Sequence, residues 1–251
     1  MRRRPVIAAI AALVSLVAVV ISDTKLPIAN WLRFPGPLSC AAAELTRPNL
    51  DASGDGRTAQ EPAMVSDEKI GFELLFSDAA LRQWRQCGPG RFAISNGIAT
   101  GEGGMGLWWY AGRQFTNFVL RGEFMQEQEI ADSGVFLRFP DPKQDPWNAV
   151  HQGHEIEIGD PNPQDPTWRT GSIYPFKASI KANTRPAGQW NEYEITCVGQ
   201  NYSGRMNGEI VMTWTDPKQR THSGYIGLQN YNDGKTVRHR NVRIKQLPLS
   251  N

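Results

Sequence analysis

His154-Glu155-Ile156-Glu157-Ile158 carries the densest chemistry in the chain. Acidic and apolar residues alternate there with the period of a β-strand, sending Ile156 and Ile158 to one face and both glutamates to the other. Alternate residues stand roughly 6.6 Å apart along a strand, so two carboxylates share one groove. Their repulsion raises one pKa, the condition under which a general acid and a carboxylate base coexist. Asp160 follows at the strand end and is a third candidate. His154 has the parity of the isoleucines and points away, whereas His151, expected in a loop, is free to bend over the groove as a base. His151-x-x-His154-Glu155 has the outline of a helical zinc motif, but Gly153 and Gly159 bracket it as a strand, which disfavours a two-histidine site. A divalent cation held by carboxylates and one histidine stays a candidate cofactor. Solvated strands show the same alternation, so the segment needs partners before it counts as a site.

Further polar residues recur at the same parity. Arg138 alternates with Phe136, and Gln229 alternates against Ile226 and Leu228 and leads into Asn230. Trp108 and Trp109 are adjacent, so one must enter the core while the other faces out and can stack on a sugar ring.

The elements that must position these residues are strands. The chain has 251 residues with 24 Gly, 17 Pro and 8 Trp, a turn-rich composition unlike a helical bundle. Asn96-Gly97 and Asn207-Gly208 are two-residue hairpin signals. Alternating runs cover 118–125, 134–139, 154–158, 191–198, 224–229 and 242–247. The single helix expected lies around Ser77–Trp84, with Ser77 or Asp78 as its N-cap. An all-β jelly-roll sandwich of concanavalin-like type follows. A formal charge of +2 gives no electrostatic case for nucleic acid, and a hydrophobic fraction of 40% excludes a polytopic membrane protein.

Arg2, Arg3 and Arg4 precede an apolar run from Val6 to Ile21, which reads as an export signal or a signal anchor over residues 1–22. A periplasmic or extracellular location follows, with membrane contact confined to that segment. Residues 23–68 lack a sustained period and are expected to form a disordered tether, with one domain over 69–251. Cys40 falls in the tether. Export permits a Cys87–Cys197 disulfide, but Cys197 alternates with Tyr193 and Ile195 on an apolar face, which favours a buried thiol.

Several segments together resemble one bacterial family. They are Gly71-Phe72-Glu73-Leu74-Leu75-Phe76, Asp132-Ser133-Gly134-Val135-Phe136-Leu137-Arg138-Phe139-Pro140, Glu155-Ile156-Glu157-Ile158, Thr170-Gly171-Ser172-Ile173-Tyr174, Trp190-Asn191-Glu192-Tyr193-Glu194-Ile195, Tyr225-Ile226-Gly227-Leu228-Gln229-Asn230 and Arg240-Asn241-Val242-Arg243-Ile244. In order and spacing they are similar to the 3-keto-disaccharide hydrolase domain, also called the 3-keto-glucoside lyase/hydratase domain. The resemblance implies a concanavalin-like jelly roll acting on oxidised glycosides. It marks Glu155 at a position the family commonly fills with Glu, and Glu157 where Gln is frequent.

A ketone at C3 of a sugar acidifies the C2 hydrogen. A base removes that proton, the enolate expels the aglycone from C1, and water then adds to give the free 3-keto sugar. On this reading Glu155 or His151 is the base, and Glu157 and Asp160 hold a metal or hydroxyls. Arg138 stabilises the enolate oxygen, while Trp109, Tyr174, Gln229 and Asn230 hold the sugar. Two other readings share the fold. One is a non-catalytic carbohydrate-binding module. The other is a conventional jelly-roll glycosidase, against which stand Glu157 where that signature has Asp and Asp160 where it has Glu.

Overall fold

The computed structural model describes residues 70–249 apart from 161, 163, 232 and 233. The expected signal or anchor, the tether and Cys40 lie outside the described residues. Within them no helix is long and apolar enough to cross a membrane.

In chain order the elements are β1 (Glu73–Leu74), α1 (Asp78–Leu81), β2 (Trp84–Cys87), β3 (Arg91–Ser95), β4 (Ile98–Glu102), β5 (Met105–Phe115), β6 (Phe118–Gln126), β7 (Asp132–Phe139), α2 (Trp147–Gln152), β8 (His154–Gly159), β9 (Ile173–Tyr174), β10 (Asn191–Val198), β11 (Asn201–Met206), β12 (Glu209–Thr215), β13 (Gly224–Tyr231) and β14 (Val237–Gln246). They form two antiparallel sheets. One runs β12-β11-β10-β6-β14-β4-β3, with β1 also pairing β14; the other runs β2-β5-β13-β7-β8-β9.

Local chemistry explains the turns. Asn96 and Gly97 have φ of 51° and 72°, and Asn207 and Gly208 have 49° and 82°. Both residues of each pair are left-handed, as a type I′ hairpin requires. Ser77 caps α1 by accepting from the Ala80 amide at 3.3 Å. The helix stops at Leu81, however, and Trp84 opens a strand whose ring packs at 4.3 Å centroid distance on Trp108.

Alternate residues of the two sheets fill the space between them. Trp108, Tyr110, Val135, Leu137, Ile156, Ile158, Ile226 and Leu228 come from the six-stranded sheet, and Leu120, Phe124, Ile195 and Ile244 from the eight-stranded one. The outward-facing residues of the six-stranded sheet build a second, smaller apolar layer. Cys87, Met105, Leu107, Phe136 and Phe139 pack there with Ala149 of α2. The sequence reading had a loop where α2 stands. Pro146 gives that helix no side-chain cap, so tertiary packing of Ala149 holds it in place. Cys87 and Cys197 are both free and buried, in different apolar layers.

Candidate functional site

Strand register assembles the outer face of the six-stranded sheet row by row. Tyr174 pairs with Glu155, Glu155 with Phe136, Phe136 with Gly227, and Gly227 with Trp109. In the adjacent row Glu157 pairs with Gly134, and Gln229 lies one step past the Leu228–Val135 pair, beside Gly134. Glu155, Glu157, Tyr174, Gln229 and Gly134 therefore occupy one patch of sheet.

Gly134 is the floor of that patch. A Cβ there would fall 2.2 Å from Glu155 Oε1 and 2.8 Å from its Cγ, so the Glu155 side chain lies across the space a larger residue would fill. Sequence reasoning missed this role, although a glycine inside a strand pattern is itself a signal of close approach.

Both glutamates are buried, at 4% and 3% exposure. Glu155 Oε1, Glu157 Oε1 and Gln229 Oε1 are all buried without a hydrogen-bond donor. Burial pushes both carboxyls well above the usual carboxylate range. The Asp132 charge adds to this at Glu155, and the charges of Glu155, Asp132 and Asp160 add to it at Glu157. Such a pair holds a proton at pH values where an exposed carboxylate has lost it. Tyr174 is half-buried, and burial followed by the Glu155 and Glu157 charges keeps its hydroxyl protonated. Asp160 is half-buried with φ of 126°, and its Oδ1 accepts from the Thr170 amide at 2.7 Å. That bond ties Asp160 to the chain beyond the strand.

Four expected site residues lie elsewhere. Arg138 has φ of 52° at a break in register between β7 and β13, a β-bulge that reverses its parity. Its guanidinium runs into the interior, donating to the Gly199 carbonyl at 2.6 Å, to Tyr202 Oη at 3.1 Å and to the Thr116 carbonyl. It braces the two sheets and does not face the carboxylates. Asn230 likewise points between the sheets, where its amide donates to the carbonyls of Glu102, Gly103 and Gly104 at 2.7, 3.1 and 3.1 Å. His151 is exposed on α2, stacked on Trp147, and lines a depression of about 520 Å³ with Pro140, Arg220 and His222. Trp108 is the tryptophan that enters the core, as parity required of one of the two. Trp109 is on the outer face, but about 14 Å of sheet, three strand spacings, separates it from Glu155. Its ring packs against Tyr225 at 4.7 Å and Phe139 at 6.3 Å.

His154 keeps the interior parity read from the sequence. Its Nε2 donates to Asp216 Oδ2 at 3.2 Å and its Nδ1 accepts from Thr221 at 3.3 Å. Burial pushes its pKa down to about 4 despite the nearby Asp216 carboxylate, so the ring is neutral.

Among the described residues, no group of three or more His, Cys, Asp or Glu side chains is arranged to hold a metal. The buried, donor-free oxygens of Glu155, Glu157 and Gln229 are nonetheless hard ligands of the kind that suits Mg²⁺, Mn²⁺ or Ca²⁺. They fit a cation better than the expected pair Glu157 and Asp160, since Asp160 Oδ1 already serves a backbone amide.

Comparison with solved structures gives the same architecture. A candidate glycosyl hydrolase from Parabacteroides distasonis matches at 20% identity and TM-score 0.60, over 70% of this chain and 99% of that one. A second from the same organism matches at 16% identity and TM-score 0.62, over 74% and 99%. At these identities the likeness is one of fold. No curated relative matches the chain. Residues 71–245 match the model of the 3-keto-alpha-glucoside-1,2-lyase-like domain, and the chain belongs to that family.

Proposed function

We propose that this protein cleaves 3-keto-glycosides by removing the C2 proton, eliminating the aglycone and hydrating the product. The observation that carries this reading is the pair Glu155 and Glu157, buried on one sheet face with raised pKa values and no donor for either Oε1. A carboxylate without donors is a strong base, and a neighbour that keeps its proton is a hydrogen-bond donor. Glu155 takes the proton from C2. Glu157 in its protonated form donates to the C3 oxygen, where negative charge develops. The C1–O bond then breaks, its electron pair leaves with the aglycone oxygen, and that oxygen is protonated. Water adds across C1=C2, its hydroxyl to C1 and its proton to C2.

On this reading Tyr174, which pairs with Glu155, and Gln229, beside Gly134, hold sugar hydroxyls. Arg138 has no part in this scheme. In place of the Glu157 proton, a divalent cation held by Glu157 and Gln229 would polarise the ketone. The amino-terminal apolar run behind three arginines supports export, so the domain would meet its substrate outside the cytoplasm.

The test is to incubate the protein with a 3-keto-glucoside and with the unoxidised glucoside, with and without EDTA. Release of aglycone from the keto sugar alone is expected. Equal cleavage of the unoxidised glucoside would show an ordinary glycosidase. Binding without cleavage of either would show a carbohydrate-binding module.

A further inference from the structure

The depression of about 520 Å³ lies where β7 ends and β8 and β13 begin. Neither Glu155 nor Glu157 lines it, and the ionisable side chains that do are all bases: Arg138, His151, Arg220 and His222. Arg138 is committed to the interior. The other three, with Ser223, are what a ligand would meet.

Arg220 is half-buried and fixed by its surroundings. Its amide donates to Asp216 Oδ2 at 2.8 Å, and its guanidinium lies 3.9 Å from the centroid of the Phe176 ring. Phe176 in turn stacks on Trp214 at 5.5 Å with the rings 9° apart. The turn and the ring stack hold the guanidinium, yet its N–H groups meet no acceptor among the described residues. A planar fork held in place without an acceptor of its own suits two oxygens of one anion.

His222 is oriented for the same task. The Gln200 amide nitrogen donates to the Thr221 carbonyl at 3.1 Å and to His222 Nδ1 at 3.2 Å. Accepting at Nδ1 leaves the ring proton on Nε2, so the other edge of His222 is a donor. Ser223 adds a hydroxyl, and His151 lines the depression from α2 with its ring stacked on Trp147. Two carboxylates flank these segments and both are engaged. Asp216 is buried and accepts from the Lys218 and Arg220 amides and from His154, while Asp141 pairs with Lys143 at 3.5 Å.

We infer that this depression binds an oxyanion, the carboxylate or phosphate group of a small molecule, through Arg220, His222 and Ser223. The site is distinct from the carboxylate pair and does not depend on the glycoside reading.

The test is calorimetric titration of the full chain with inorganic phosphate and with glucuronate, in about 0.15 M sodium chloride to screen general surface attraction. Saturable binding of at least one is expected, with Kd on the order of 1 mM. Arg220→Met should weaken it about tenfold or more, and Arg220→Lys, which keeps the charge without the fork, should restore only part. His222 is exposed, so His222→Ala keeps the fold and should weaken binding several-fold. Lys218→Met removes an exposed cation that does not line the depression and should change the affinity by less than about twofold. Saturation by one anion and not the other supports the site and names its ligand class. Absence of saturable binding, or binding untouched by Arg220→Met and His222→Ala, overturns the inference. Equal weakening by Lys218→Met and Arg220→Met also overturns it, since that marks an adventitious ion only.

Discussion

His154 and Glu155 are neighbours on one strand, yet they enter two buried polar regions of opposite character. On the inner face, His154 joins Asp216 and Thr221, and Arg138 reaches Tyr202 and two carbonyls. Asp216 in turn accepts from the amides of Lys218 and Arg220. On the outer face, Glu155, Glu157 and Gln229 are as deeply buried, but an oxygen of each lacks a donor. Burying a polar group without a partner costs about 1–3 kcal/mol, more if it is charged. The inner network recovers most of that cost within the fold, leaving Arg138 Nε without a partner, and so reads as structure. The outer patch leaves it outstanding, and a site that waits for substrate, proton or cation is where a protein tolerates such a deficit. Burial alone does not separate the two regions; the carboxylate and amide oxygens left without a donor on the outer face do.

The largest effect should come from the outer face. Glu155→Gln keeps the shape and removes the basicity, so turnover of a 3-keto-glycoside should fall by about 10²–10⁴-fold with the fold intact. Turnover within threefold of wild type would take the base role from Glu155.

Gly134→Ala offers a sharper version. The backbone tolerates alanine there, but the new methyl occupies the space of the Glu155 carboxyl. Activity should fall at least tenfold, and Glu155→Asp, shorter by one methylene, should restore part of it in the alanine background. Absence of any rescue would show that the loss is not an eviction of Glu155.

Arg138 tests the inner face. Arg138→Met should destabilise the domain by about 3 kcal/mol or more, because Gly199, Thr116 and Tyr202 lose their shared donor in the interior. Turnover per folded molecule should stay unchanged. A selective loss of turnover would return Arg138 to the site.

The smallest effect is in pH dependence, and the two faces should pull in opposite directions. Histidines held neutral by burial, His154 at about 4 and His239 at about 3, bind fewer protons folded than unfolded, so their contribution is full above the unfolded pKa of 6.5 and fades as pH falls through those values. Glu155 and Glu157 bind more protons folded than unfolded, so stability declines as pH rises above their unfolded pKa of 4.5. Glu157→Gln should therefore melt above wild type at neutral pH and match it near pH 4.5. A melting-temperature series across pH checks both slopes, and a Glu157→Gln curve parallel to wild type would show that the pair is ionised at no cost.

Much of this architecture is legible in the residues. The alternation of β8, the two Asn-Gly turns and the Ser77 cap are local rules that tertiary structure did not override. Arg138 was misread because a bulge at a non-glycine residue leaves no mark in the sequence, and one inserted residue reverses the side-chain parity. Asn230 was misread because an amide that sits at ligand-facing spacing serves equally well to bind three carbonyls of a turn. Strand β5 stayed hidden because Leu107-Trp108-Trp109-Tyr110 has no polar beat when both faces of the sheet are covered. Helix α2 stayed hidden because its six residues are held by packing rather than by propensity.

The contact between Gly134 and Glu155 also bears on how the family diverges. Any side chain at 134 competes for the volume that Glu155 occupies, so the two positions are free to change only in a set order. With the Glu155 side chain in its present place, glycine at 134 is the residue that leaves it room. A lineage that first loses the glutamate is released from that constraint, and position 134 can then drift to larger residues.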